Sequence, residues 1–137
     1  LKLSKTKGHV QELSNIIEGG KLLKGNIGLG HTRWATHGQP SDVNAHPHMS
    51  CSGKIVVVHN GIIENYVKLR EMLVAKGYEF QSDTDTEVAV NLIQYFYNGD
   101  ILSAVAEAAR RLEGSYALGI LCSDFPDKLF AITISRT

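Results

Sequence analysis

The 137-residue sequence predicts an α+β fold in which a sheet packs against helices, and three observations lead to it. The β-branched run Ile55-Val56-Val57-Val58 has no polar alternation, so it reads as a strand covered on both faces. Three stretches between residues 66 and 112 place apolar residues at helical spacing. Two strand-like runs around a Pro-containing turn close the chain. Consecutive helices between separated strands make a sheet with helices on it the minimum architecture.

From the N-terminus, His9 to Ile17 sets Val10, Leu13, Ile16 and Ile17 at helical spacing, and Gly19-Gly20 ends the helix. Asn26 to His31, fed by Gly25, is expected to be a short strand. Arg33 to Ser52 sustains no apolar period and holds both Pro40 and Pro47. It reads as a long ordered loop, a kind that is usually functional inside a compact domain. Lys54 to His59 is the covered strand, and Asn60-Gly61 follows it directly. Tyr66 to Lys76 carries Leu69, Met72 and Leu73 on one face, with Asn65 as N-cap and Gly77 as stop. Thr84 with Glu87 three residues later is a capping-box pattern, opening a helix striped by Val88, Leu92, Ile93 and Phe96. Asp100 is placed to cap a third helix with Ile101, Val105, Ala108 and Leu112, closed by Gly114. Ser115 to Cys122 and Lys128 to Ile134 then form a hairpin around Asp124-Phe125-Pro126-Asp127.

Composition narrows the functional classes. Hydrophobic residues at 43% and charged residues at 20% are ordinary for one soluble globular domain. Fourteen basic and fourteen acidic residues cancel, so no basic field calls for nucleic acid and no basic amphipathic stretch for a membrane surface. The apolar runs Ile55–Val58 and Ala117–Cys122 are too short to span a bilayer. Cys51 and Cys122 are far apart in a chain large enough to build a core without staples. They are expected to be free thiols in a reducing cytoplasm. No charged-then-apolar leader points to secretion. The first residue is Leu1 rather than Met, so the chain reads as a processed product or a fragment.

Three polar clusters interrupt the pattern. In His31-Thr32-Arg33-Trp34-Ala35-Thr36-His37-Gly38, an Arg beside a Trp offers a planar bidentate donor for a carboxylate and an apolar cover. The plainer alternative is a surface Arg stacked on a Trp. In His59-Asn60-Gly61, Asn-Gly is either a type I′ hairpin turn or an oxyanion hole built from the Asn amide and the Gly N–H. Ile62-Ile63-Glu64-Asn65 lacks the alternation of a returning strand, which weakens the turn reading. In Ser82-Asp83-Thr84-Asp85-Thr86-Glu87, acids are stabilised by a helix N-terminus without any function. Three carboxylates within five residues nevertheless exceed one cap, and one of them can accept from a ligand ammonium group. The residues alone do not choose between Asp83 and Asp85. His31, His37, His46, His48 and His59 fall within 29 residues. No Cys pair or metal-type His spacing accompanies them, so no metal and no cofactor is expected. Together the clusters describe a site for a free α-amino acid whose side-chain carbonyl is attacked, without a nucleophile among them.

The strings HTRWATHG, NAHPH, VVVHNGIIEN and SDTDTEV, in this order, resemble the class II glutamine amidotransferase domain from about Gly25 to Leu129. Their surroundings are most similar to the branch of that family that passes ammonia to fructose 6-phosphate. The resemblance implies part of a four-layer αββα N-terminal nucleophile hydrolase domain, occupying residues 1–137 and truncated at both its start and its end. It implies that Arg33 binds the α-carboxylate of L-glutamine and that Trp34 belongs to the loop closing over it. Thr36 and His37 would line the pocket, Asn60 and Gly61 would form the oxyanion hole, and Asp85 would bind the α-amino group. It further implies a cytoplasmic homo-oligomer at full length, with a sugar-isomerase domain outside these residues. In the family the nucleophile is a cysteine at the mature N-terminus, where this chain has Leu1, and Cys51 and Cys122 are not substitutes. The 137 residues alone are therefore expected to be inactive. The alternatives are a class II amidotransferase with another acceptor and a non-catalytic glutamine-binding module.

Overall fold

The computed structural model describes residues 1–136. The elements run α1 (Val10–Ile16), a 3₁₀ turn (Glu18–Gly20), β1 (His48–Met49), β2 (Ile55–Gly61), α2 (Tyr66–Ala75), α3 (Asp85–Phe96), α4 (Ile101–Arg111), β3 (Tyr116–Cys122) and β4 (Phe130–Ile134). The four strands form one sheet in the order β1-β2-β3-β4, antiparallel at every pairing. The β2–β3 register pairs Ile55 with Cys122 and Gly61 with Tyr116. Because side chains alternate along a strand, this register puts Ile55, Val57 and His59 on the same face as Cys122, Ile120 and Leu118. The helices cover that face, and the core joins these residues to Leu73, Val88, Leu92, Ile93, Ile101, Ala104 and Leu112.

α3 sits at the centre, packed on α2, α4, β1 and β2. Every residue from Asp85 to Ile93 is buried, including the polar ones. Asn91 tolerates this because its Nδ2 donates to the Glu87 carbonyl at 3.1 Å and its Oδ1 accepts from the Cys51 N–H at 2.9 Å. Asp100 caps α4 as expected, accepting from the backbone N–H and the hydroxyl of Ser103. Thr84 accepts from the Glu87 N–H at 3.3 Å. The return half of the capping box is absent, because the Glu87 carboxylate turns instead to the N–H groups of Gln81 and Ser82.

Two expectations are corrected, and one helix packs apart from the core. Asn26–His31 is not a strand. The segment lies across the sheet's second face, where Leu29 rests against Gly119, and a chain crossing a face cannot join a ladder that runs in the plane of the sheet. Asn65 makes no side-chain cap to α2; it bridges instead to the far end of α4, donating to the Arg111 carbonyl and accepting from the Glu113 N–H. α1 forms where its spacing indicated, but none of its residues is buried, so its apolar stripe does not join the core. Both cysteines are free, Cys51 exposed and Cys122 buried. No helix among the described residues is long and apolar enough to cross a membrane.

Ile93 is fully buried in the centre of this core, whereas Asp100 only caps an exposed helix start. Ile93→Ala is expected to cost about 2–5 kcal/mol through lost burial and a residual cavity. Asp100→Ala should cost about 1 kcal/mol through the lost cap. Urea unfolding of the two variants checks the ranking, and a larger loss for Asp100→Ala contradicts the packing described.

Candidate active site

The ladder between β2 and β3 continues to the end of β2, pairing Asn60 with Ala117 and Gly61 with Tyr116, so Asn-Gly is not a hairpin turn. Gly61 has φ 110°, and a Cβ there would collide with the Ser115 carbonyl and approach the Tyr116 Cα to 2.9 Å. Only glycine lets the strand end this close to its neighbour. Just beyond Gly61 the exit of β2 is tied to the start of α3, the Ile63 N–H donating to Asp85 Oδ2 at 3.0 Å.

A cavity of about 270 Å³ opens at this junction. The loop contributes Arg33, Trp34, Thr36 and His37, β2 contributes Asn60 and Gly61, and α3 contributes Asp85. All seven residues singled out in the sequence thus meet at one place, although up to 52 positions separate them (Asp85 from Arg33). Asp83, the other acidic candidate, is exposed and does not line the cavity; its N–H is held by Asn44 Oδ1.

Asp85 is the first residue of α3 and only 3% exposed. The helix N-terminus and the Ile63 N–H stabilise its negative charge. His59 Nδ1 lies 3.8 Å from one of its oxygens and His37 Nε2 4.0 Å from the other. Arg33 occupies the left-handed region, with φ 42°. Its guanidinium donates to the carbonyls of His37, Gly38 (2.9 Å) and Gln39 (3.4 Å), folding the loop around the side chain that is expected to meet a carboxylate. Burial lowers the Arg33 pKa, and Asp85 opposes that shift. Trp34 stands 90% exposed at the mouth, so in this conformation it covers nothing.

The remaining wall includes His31, His46, His59 and Thr84, which sequence reasoning did not place in the site. The signal was the density of histidines, weighed only for metal binding. Among the described residues no three His, Cys, Asp or Glu side chains are arranged to hold a metal. The imidazoles are instead packed and hydrogen-bonded, although His46 Nδ1 and His59 Nε2 are buried without a hydrogen-bond partner among the described residues. The Thr86 hydroxyl lies between His59 Nδ1 (2.9 Å) and His46 Nε2 (3.2 Å), and Thr84 Oγ1 is 3.0 Å from His48 Nε2. His31 stacks on His46 with ring centroids 4.4 Å apart. Burial, reinforced by repulsion from neighbouring histidines and Arg33, pushes His46 down to about 2. Burial, with nearby Lys5, pushes His48 down to about 3. Burial also lowers His59, against the pull of Asp85. At neutral pH these three rings are uncharged. Neither Cys51 nor Cys122 lines the cavity, which therefore offers donors and acceptors for a ligand but no thiol.

Comparison with known proteins matches residues 31–132 to the family described as glutamine amidotransferase domain. The chain is 55% identical over 131 residues to the glutamine–fructose-6-phosphate aminotransferase (isomerizing) of Caldanaerobacter subterraneus, covering 96% of this chain and 21% of that protein. It is 58% identical over 132 residues to the protein of the same name from Clostridium acetobutylicum, covering 96% of this chain and 22% of the relative. The chain thus spans about one fifth of the length of these relatives. Among solved structures, the glutamine phosphoribosylpyrophosphate amidotransferase from B. subtilis, complexed with ADP and GMP, superposes with a TM-score of 0.57 at 27% identity. That match covers 68% of this chain and 20% of that one.

The depressed histidines make stability depend on pH in a definite direction. His46 and His48 titrate near 2 and 3 when folded, but near their ordinary 6.5 when unfolded. Between these limits the unfolded state binds more protons, so their contribution is complete above about pH 6.5 and is lost as pH falls toward 3. The urea midpoint is expected to drop between about pH 6.5 and 5, before most carboxylates titrate. His48→Gln should flatten the drop. An unchanged slope in that variant contradicts a buried neutral His48.

Proposed function

This chain belongs to the glutamine amidotransferase domain family, and from that membership we propose that it is the glutamine-hydrolysing part of an enzyme transferring ammonia from L-glutamine to fructose 6-phosphate, forming glucosamine 6-phosphate. The observation that carries this reading is the convergence of Arg33, Asn60, Gly61 and Asp85 on one cavity. A free amino acid presents opposite charges at its α-carbon. Arg33 is the cationic partner for the carboxylate, and Asp85, buried and fixed by Ile63, is the anionic partner for the ammonium. The side-chain amide then reaches the end of β2. There Asn60 Nδ2 and the Gly61 backbone donate to the oxygen that becomes negative in the tetrahedral intermediate. Thr36 and His37 close the side of the pocket, and Trp34 covers it when the loop moves.

In this reading the attacking thiol comes from outside the 137 residues, as an N-terminal cysteine whose own α-amine takes the proton. The absence of either described thiol from the cavity supports that division, as does the length of the relatives, about five times that of this chain. The two layers described here are then half of an αββα sandwich. Support for that comes from the second face of the sheet, where Val58, Ala117, Gly119 and Leu121 are only partly covered. The fructose 6-phosphate acceptor and an isomerizing step rest on the names of the curated relatives, fructose-6-phosphate aminotransferases (isomerizing). A different acceptor is the second reading, favoured by the fold shared with a phosphoribosylpyrophosphate enzyme at lower identity. Assaying the full-length protein with glutamine and each acceptor separates the two. Glucosamine 6-phosphate formation is expected.

Loss of a charge-assisted hydrogen bond, about 1.5–3 kcal/mol, should raise the glutamine KM of an Arg33→Ala variant at least about tenfold. Arg33→Lys should recover little, because a point charge lacks the planar fork that also holds the loop carbonyls. An unchanged KM in the alanine variant overturns the assignment. Asn60→Ala is expected to lower kcat by about 10²–10³ with glutamine bound nearly as well. A loss confined to thermal stability would return Asn60 to a purely structural role.

A further inference from the structure

We propose that His31 is a positioning residue that decides which way the Asn60 amide points, and so links the Arg33 loop to the oxyanion donors. This rests on the glutamine-hydrolysing reading above. The Arg33 backbone N–H lies 2.9 Å from His31 Nδ1. A backbone N–H can only donate, so Nδ1 must carry the lone pair. A neutral imidazole has a single N–H, which therefore sits on Nε2. Nε2 is 2.6 Å from Asn60 Oδ1. A ring N–H there selects the amide oxygen of Asn60 and excludes its NH₂ group, since two donors would otherwise face each other.

The orientation of Asn60 follows. With Oδ1 turned to His31, Nδ2 is directed away from the ring, and among the described residues it makes no hydrogen bond. Asn60 lines the cavity, so its two amide donors are free for a ligand oxygen. The opposite orientation would present a carbonyl oxygen to a developing negative charge. His31 keeps its ring plane because it stacks on His46, with an interplanar angle of 22°. His46 is itself 8% exposed and held by the Thr86 hydroxyl. The left-handed backbone of Arg33 places its N–H against the ring two residues earlier. Any loop movement that withdraws this N–H releases the tautomer, and with it the Asn60 amide.

The test uses the full-length enzyme. His31→Phe keeps a flat ring for stacking and loses both hydrogen bonds. Its kcat for glutamine hydrolysis is expected to fall about tenfold to a hundredfold, with the glutamine KM within about threefold of the parent. His31→Gln, whose amide nitrogen reaches as far as Nε2, should recover part of the lost kcat. Because His31 acts through Asn60, His31→Phe combined with Asn60→Ala should be no slower than Asn60→Ala alone, within about twofold. Multiplicative losses in the double variant overturn the proposal, as does an unchanged kcat in His31→Phe. The tautomer is read independently of turnover from the ¹⁵N shifts of the His31 ring, with Nδ1 unprotonated. An Nδ1–H tautomer sinks the proposal whatever the enzyme does, while leaving the glutamine-hydrolysing reading intact. If the tautomer is as expected but Asn60→Ala hydrolyses glutamine normally, the oxyanion reading itself fails, and the role of His31 fails with it.

Discussion

The first turn of α3 concentrates buried polar groups, and satisfying them dictates how strand, loop and helix meet. Thr84, Asp85, Thr86 and Glu87 are all at most 6% exposed. A buried polar group without a partner is costly, by about 1–3 kcal/mol in protein interiors. Each of these four has one, and each partner comes from a different part of the chain. Ile63, at the exit of β2, serves Asp85. His59 and His46 serve Thr86, His48 serves Thr84, and the backbone of Gln81 and Ser82 serves Glu87. Moving any of these segments would leave a helix-start group unpaired in the interior. The cavity lies where they converge, so its walls are held by the same bonds that seat the helix.

The loop from Arg33 to Ser52 has almost no ladder and little apolar burial, yet it takes one path. Side chains bonded to backbone supply the order. The Arg33 guanidinium gathers three carbonyls, and Asn44 donates to Gln39 while accepting from Asp83. Such an arrangement is rigid only while those bonds persist. A ligand carboxylate competing for the Arg33 guanidinium would weaken its hold on the carbonyls, which makes this loop suited to rearrange on binding. The exposed Trp34 rides on it.

Uncharged histidines suit such a place. A neutral imidazole both donates and accepts, so it can join a hydroxyl to a carboxylate neighbourhood without adding charge beside Asp85 and Arg33. Burial keeps His46 and His48 neutral well below physiological pH. Fixing their tautomers fixes the direction of the hydrogen bonds around them.

What the amino-acid sequence determined was local. The helices over 66–75, 85–96 and 101–111, the covered strand and the terminal hairpin follow from spacing and caps carried within a few residues. The motif strings named the family, and the seven residues they pointed to share one cavity. Tertiary structure decided whatever depended on a distant partner. Asn60-Gly61 continues a strand rather than turning because β3, nearly sixty residues away, offers a paired edge. Asn65 abandons its helix for Arg111 and Glu113. Asn26–His31 has strand composition but lies over a face instead of along an edge. Asp85 lines the cavity where Asp83 does not, a distinction that composition in that turn left open. The histidine cluster, legible as a count, became a hydrogen-bond network only when Thr86 was brought to His46 across 40 positions. Periodicity records which face of an element is apolar. It holds no record of what that face, or a polar side chain beside it, will meet.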